Sequence, residues 1–346
     1  MKIFVGQPLV EPSTKDLLAG HEVLTGAGGL PASEWPLLEE VEALLPTPAE
    51  RVTEAVLAAA PRLSIVASHS VGVDHVDLGA CRVRGILVTN TPDVLTEATA
   101  DLAWALILAV ARRLCEGDAL ARSGTWDGWK PKELLGVSLS GRALGVYGMG
   151  RIGRAVARRG EAFGMRVLSF DKDGTEADFE GFLSKADVLS IHVPLTDATR
   201  GRFGEREFLR MKEGAILINA ARGPIVDEAA LVAALSSKHL FGAGLDVFEK
   251  EPAIHPGLLS LRNVVLLPHL GSATHETRLA MARLACEEIA RFARGEPPLH
   301  PVPRRSQRGL QRSKRGEFCL EWSRAGARPK HASRASRSFT LLRKSS

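Results

Sequence analysis

The sequence predicts an α/β fold of two domains, each built on a parallel sheet. Three observations carry that expectation. Short apolar runs alternate with helical patterns along residues 1–302. The runs are almost continuously apolar, as strands covered on both faces must be. The length, 346 residues, suits two domains of roughly 100–200 residues each.

Near the N-terminus, strands are expected at Ile3–Val5, Ala43–Leu45, Leu63–Ala67 and Ile86–Val88. A second series runs Ala143–Tyr147, Arg166–Phe170, Val188–Val193, Ala215–Asn219, Ala243–Val247 and Val264–Leu267. Between the two series the pattern predicts a long helix from about Thr96 to Arg113. Thr96 is a capping residue there, and Glu97 and Asp101 suit the positive N-terminal end. Another long helix is expected over about Glu276 to Arg294, with Met281, Leu284, Ala285, Ile289 and Phe292 on one face. Gly295 and Pro297-Pro298 stop it.

The chain carries 45 Lys plus Arg against 40 Asp plus Glu, a net charge of +5. That total invites a polyanionic partner, but the charge is uneven. Pro303–Ser346 holds 13 basic and 2 acidic residues, and the other 302 residues hold 32 and 38. The body is mildly acidic, so no nucleic-acid partner is expected. The tail has eight Ser and ten Arg and too few apolar residues to offset chain entropy, so residues 303–346 are expected to be disordered.

The longest apolar run, Leu102–Ala111, is ten residues, half of the ~20 that span a bilayer, and no membrane association is expected. Cys81, Cys115, Cys286 and Cys319 show neither CxxC nor metal-ligand spacing. They read as reduced thiols of a cytoplasmic protein without a metal.

Gly148-Met149-Gly150-Arg151-Ile152-Gly153 is a GxGxxG between a predicted strand and a predicted helix, Arg151–Phe163. The next strand ends at Asp171, 23 residues after Gly148, which is the layout of a dinucleotide site. Gly148 permits the turn, Gly150 the approach of pyrophosphate, and Gly153 close helix–strand packing. The helix N-terminus offers N–H groups to the phosphates. Asp171 suits the ribose hydroxyls and repels a 2′-phosphate, so NAD(H) is favoured; Lys172 beside it keeps NADP(H) open.

Three charged residues follow strands of the second series: Arg222, Glu251 and His269. In an open parallel sheet they converge on the edge where the dinucleotide lies. An Arg fork clamps a carboxylate and polarises a neighbouring carbonyl. A His exchanges the proton that accompanies hydride transfer, and a carboxylate fixes its tautomer. His75 and His192 read as non-catalytic loop or strand-end groups.

SVGVDHVD at Ser70–Asp77, NTPDVLTEATADLAWALIL at Asn90–Leu108, GMGRIGRAVARR, HVPLT, INAARGPIVDE, GLDVFEKEP and PHLGSAT follow one another in order. Together they resemble the D-isomer-specific 2-hydroxyacid dehydrogenase family over residues 1–302. SVGVDH, TPDVLTEAT and Trp129-Lys130-Pro131 are most similar to its glyoxylate/hydroxypyruvate reductases.

The resemblance implies NAD(P)H-dependent reduction of a small 2-keto acid to the D-2-hydroxy acid. Arg222 would bind the keto acid and His269 would be the general acid/base. Glu251, which directly precedes Pro252, would be its partner rather than Glu249. Val71 and Gly72 would offer backbone N–H groups to the substrate carboxylate, with Ser272 nearby. Asp246 and Ala220 would meet the nicotinamide end of the cofactor, and Pro194 would line its cleft. Trp129 would reach a partner subunit's substrate pocket across a homodimer interface.

The resemblance also implies two Rossmann-like or flavodoxin-like domains. Residues 1–96 plus 274–302 would form a discontinuous substrate domain and residues 97–273 the cofactor domain, with a cleft that closes. 3-Phosphoglycerate or D-lactate are alternative substrates, and an NAD-sensing corepressor is an alternative from another class. Only fifteen residues separate Asp171 from Asp187, where the family usually has a further strand and helix. The adenine side is therefore expected to be trimmed.

Overall fold

The computed structural model describes residues 1–303; from residue 304 onward the basic tail, Cys319 included, lies outside the described residues. Strands β1 (Lys2–Val5), β2 (Glu22–Thr25), β3 (Ala43–Leu45), β4 (Ile65–Ala67) and β5 (Leu87–Thr89) form a first sheet. Strands β6 (Ala143–Tyr147), β7 (Arg166–Phe170), β8 (Val188–Ile191), β9 (Ala215–Asn219), β10 (Leu240–Leu245) and β11 (Val264–Leu266) form a second. The orders are β2-β1-β3-β4-β5 and β11-β10-β9-β8-β6-β7, with every pairing parallel.

The strand periodicity explains why both faces of each sheet are covered. In β9, Ile216 and Ile218 point into one apolar cluster and Ala215 and Leu217 into the other. Ile216, Leu217 and Ile218 are buried, and each such side chain contributes about 1.5–3 kcal/mol. The Thr96–Ala111 helix packs on the Ile216 side through Ala100, Ala103, Leu106, Ile107 and Val110. Trp104 anchors it: its ring stacks on Phe163 at 4.5 Å and its indole N–H donates to the Val156 carbonyl at 3.0 Å.

Thr96 is the first residue of that helix rather than its cap, and Leu95 caps it without a side-chain bond. The helix stops at Ala111, two residues early, because Arg113 takes a left-handed φ of 52° and a new helix, Leu114–Arg122, begins. The last long helix, His275–Ala293, is capped by Thr274, whose hydroxyl accepts from the Thr277 amide. Its Ala285, Cys286 and Ile289 pack on Ile3, Val5, Ala43, Leu45, Ile65 and Ala67, so the chain returns to the first sheet.

In the fifteen-residue interval after Asp171 there is one helix, Glu176–Leu183, opened by a Thr175/Asp178 capping box. No strand accompanies it, which leaves β7 as the outer edge of the second sheet among the described residues. Among the described residues, no helix is long and apolar enough to cross a membrane.

Candidate active site

The second sheet reverses its strand order between β6 and β8, and ligands of such sheets bind beyond the strand ends at that reversal. Gly148 leaves β6 with φ 99°, a left-handed conformation, and a Cβ there would press within 2.6 Å of Val193. A Cβ on Gly153 would collide with the Gly148 carbonyl, which fixes how closely the Arg151–Ala162 helix approaches the turn. At Gly150, by contrast, nothing lies within 4 Å of where a Cβ would be, so the backbone there is open to a diphosphate.

Asp171 closes the cradle. Its Oδ2 accepts from the Met149 amide at 3.2 Å and its Oδ1 from the Lys172 amide at 2.9 Å. Arg151 pairs with Asp93 at 2.5 Å. Pro194 is exposed just beyond β8, and Ala220 is half-buried beyond β9. An open glycine turn, a helix N-terminus and a carboxylate at the end of β7 are features that fit a dinucleotide.

Arg222, Glu251 and His269 follow β9, β10 and β11, three neighbouring strands. The His269 imidazole Nδ1 lies 2.9 Å from Glu251 Oε2, and Glu251 Oε1 accepts from the Phe248 amide at 3.0 Å. Burial alone would raise the Glu251 carboxyl, but the His269 hydrogen bond and charge, the Phe248 amide and the Arg222 charge hold it below its ordinary value.

His269 has φ 56°, unusual for a residue with a Cβ, and its loop is held from beneath by Asp246. The Asp246 carboxylate, 1% exposed, accepts from the Leu270 amide at 2.6 Å and the Gly271 amide at 2.8 Å. Its carbonyl accepts from the His269 amide at 2.9 Å. Burial pushes the Asp246 carboxyl up despite these donors.

Arg222 sits on a turn pinned by Asn219, whose side chain donates to the Arg222 carbonyl (3.0 Å) and accepts from the Ala221 amide (3.1 Å). Its Nε donates to Asp74 Oδ1 at 2.8 Å and its Nη1 to the Ala221 carbonyl at 2.8 Å. Burial opposes ionisation of Asp74, yet the charge and hydrogen bond of Arg222 carry its carboxyl below the ordinary value. Asp74 belongs to the loop after β4 in the first sheet, so the two sheets meet at this ion pair. Val71 and Gly72 lie in the same loop, and a Cβ on Gly72 would fall on Arg222 Nη2.

Ser272 is half-buried three residues after His269. Trp129 is not drawn into the cluster: it is 84% exposed and makes no hydrogen bond among the described residues. Sequence reasoning missed Asp74 as the partner of Arg222 and Asp246 as the brace of the histidine loop. Both stand inside quoted motifs, SVGVDHVD and GLDVFEKEP, which is the signal that was available.

Residues 104–271 match the family described as D-isomer specific 2-hydroxyacid dehydrogenase, NAD binding domain. The chain is 45% identical over 314 residues to a glyoxylate reductase of Thermococcus litoralis, covering 86% of this chain and 95% of the relative. A crystal structure of a Thermus thermophilus protein superposes with TM-score 0.82 at 46% identity, over 88% of this chain and 100% of that one. An NADPH-dependent glyoxylate/hydroxypyruvate reductase of Sinorhizobium meliloti, in complex with NADP and malonate, superposes with TM-score 0.77 at 36% identity, over 87% and 96%. With these likenesses beside the glycine turn after β6 and the Arg222, Glu251 and His269 arrangement, the chain belongs to the D-isomer-specific 2-hydroxyacid dehydrogenases, oxidoreductases that work with a nicotinamide cofactor.

Proposed function

We propose that this protein reduces glyoxylate and hydroxypyruvate to the corresponding 2-hydroxy acids, with NADH preferred over NADPH. The observation that carries the proposal is the 2.9 Å His269–Glu251 pair, set beyond β11 and β10 on the same side of β9, the strand that delivers Arg222. The names of the similar reductases support the substrate class.

When bound, the nicotinamide supplies the hydride. Gly148, Gly150, Gly153 and the first turn of the Arg151–Ala162 helix would hold its diphosphate, and Asp171 the adenosine ribose. Ala220, Pro194 and Asp246 would line the rest of the cleft. Arg222 binds the substrate carboxylate and polarises the keto oxygen. His269 keeps its Nδ1 proton on Glu251, so Nε2 is the atom that passes a proton to the keto oxygen as it gains negative charge. Backbone amides near Val71 and Gly72 share the carboxylate, with Ser272 close by.

Residues 1–96 with 274–302 and residues 97–273 would act as two domains that close over the substrate, excluding water and strengthening the Arg222–carboxylate contact. The NADH preference rests on Asp171, whose charge opposes a 2′-phosphate. Trp129, exposed on a loop with Trp126, would enter the partner subunit's pocket in a homodimer. The test is kcat/KM for glyoxylate, hydroxypyruvate and pyruvate with NADH and with NADPH. Highest values for glyoxylate or hydroxypyruvate with NADH are expected. Tight NADH binding without turnover of any 2-keto acid refutes the activity.

A further inference from the structure

The loop from Ser70 to His75 has a one-sided backbone. Its first four carbonyls all accept hydrogen bonds. Ser70 O accepts from the Thr91 amide (2.9 Å) and Val73 O from the Val76 amide (3.0 Å). Val71 O accepts from Asn90 Nδ2 (2.8 Å) and Gly72 O from the Ser70 hydroxyl (2.6 Å). Among the described residues, nothing accepts from the N–H of Val71, Gly72 or Val73. A trans peptide directs its N–H opposite to its C=O. Tying back the Val71 and Gly72 carbonyls therefore turns the Gly72 and Val73 amides away from Asn90 and Ser70. Arg222 lies against this loop, with Nη2 over Gly72 and Nε on Asp74.

The hydroxyl that holds Gly72 is itself held by a chain with only one polarity. Ser70 uses its proton on Gly72 O, so at 2.7 Å Ser68 must be the donor to Ser70 Oγ. Ser68 has then spent its proton, so at 3.0 Å His75 Nε2–H must donate to Ser68 Oγ. Ser68, Ser70 and His75 are 0%, 4% and 8% exposed. Burial pushes the His75 imidazole down to about 4, which leaves it neutral with its one proton on Nε2. Aligned hydrogen bonds in such surroundings polarise one another and strengthen the Val73 N–H as a donor at the far side of the peptide. Glycine on one side of that peptide would otherwise let it flip and present an oxygen to an anion.

We propose that Ser70 and Asn90 are positioning residues for the substrate carboxylate, holding the Gly72 and Val73 amides toward it opposite Arg222, with Ser68 and His75 backing Ser70. The inference rests on the 2-keto acid reading above and adds the side chains that make the loop an anion receptor.

The experiment compares the full-length protein with Ser70→Ala, Ser70→Thr and Asn90→Ala. It reads KM for glyoxylate, kcat, the NADH dissociation constant by fluorescence, the inhibition constant of oxamate against NADH-loaded enzyme, and thermal melting. Ser70→Ala should raise KM and the oxamate constant about tenfold, with kcat within about threefold and NADH affinity unchanged. Ser70→Thr, which keeps the hydroxyl, should restore both constants. Values for Ser70→Ala within about twofold of the parent, an equal loss in Ser70→Thr, or a matching loss of NADH affinity would overturn the proposal. Should Ser70→Ala show no melting transition, Asn90→Ala decides. A rise in both constants supports the proposal and unchanged constants reject it. If the parent protein turns over no 2-keto acid, the proposed activity fails instead, and oxamate binding to the NADH complex, read by NADH fluorescence, still judges the loop.

Discussion

Replacing Asp246 with Asn separates two duties that one carboxylate could have. Asp246 accepts the Leu270 and Gly271 amides at 2.6 and 2.8 Å while 1% exposed. An asparagine has one acceptor oxygen, and its NH2 group faces the second amide donor to donor. The substitution removes one charge-assisted bond, worth about 1.5–3 kcal/mol, and leaves a buried N–H unpaired at about 1–3 kcal/mol. Burial already opposes the Asp246 charge, so the lower part of the combined range applies, about 3 kcal/mol.

That energy holds His269 at φ 56°, a conformation that itself costs about 1 kcal/mol for a residue with a side chain. Once released, the loop relaxes and the imidazole leaves Glu251. At about 1.4 kcal/mol per factor of ten, kcat for glyoxylate at saturating NADH should fall about 100-fold. Stopped-flow or steady-state oxidation of NADH at 340 nm (the wavelength of the reduced nicotinamide) reads the rate, and fluorescence titration reads NADH affinity. The brace argument requires the loss in kcat with NADH affinity unchanged. A kcat within about threefold of the parent, or a loss confined to NADH affinity, refutes it and assigns the carboxylate to the cofactor instead.

Two other substitutions test the site's electrostatics. Asp171→Ala should raise KM for NADH about tenfold and narrow the NADH-over-NADPH preference in steady-state comparison, since a ribose partner and a repulsive charge vanish together; unchanged NADPH use would contradict that. Asp74 is held below its ordinary carboxyl value of 3.8, so its pairing with Arg222 stabilises the folded protein above that pH and the benefit fades as pH falls through the lower folded value. The melting-temperature gap between the parent and Asp74→Asn should therefore shrink from pH 6 toward pH 3, and a constant gap would show that the pair adds nothing to stability.

Strands whose residues are apolar on both faces were legible because burial leaves a local record. β6 and β9 have the expected bounds, and β8 ends at Ile191, two residues early. β10 starts three residues earlier than expected, because the glycine at 242 interrupts the apolar run without interrupting the strand. β2 left no such record. Glu22–Thr25 is an edge strand with no buried residue, and its pairing with β1 is a tertiary fact. Arg222, Glu251 and His269 were readable because each follows a strand in a distinctive motif. Asp74, Ser68, Ser70 and Asn90 were not, because their roles depend on which backbone atoms lie within hydrogen-bond reach after the chain has folded.

The position of β7 at the rim of the second sheet has a consequence for association. In a parallel sheet every second N–H and C=O of an edge strand points outward, so Arg166–Phe170, an edge among the described residues, offers a template to an extended segment of another chain. Charges flank it, Arg166 at one end and Asp171, Lys172 and Asp173 at the other, and they discourage such pairing. Asp171 thus guards an edge in addition to the cofactor role proposed for it. A coenzyme switch engineered there by an apolar substitution would remove one of the charges that keep neighbouring molecules apart.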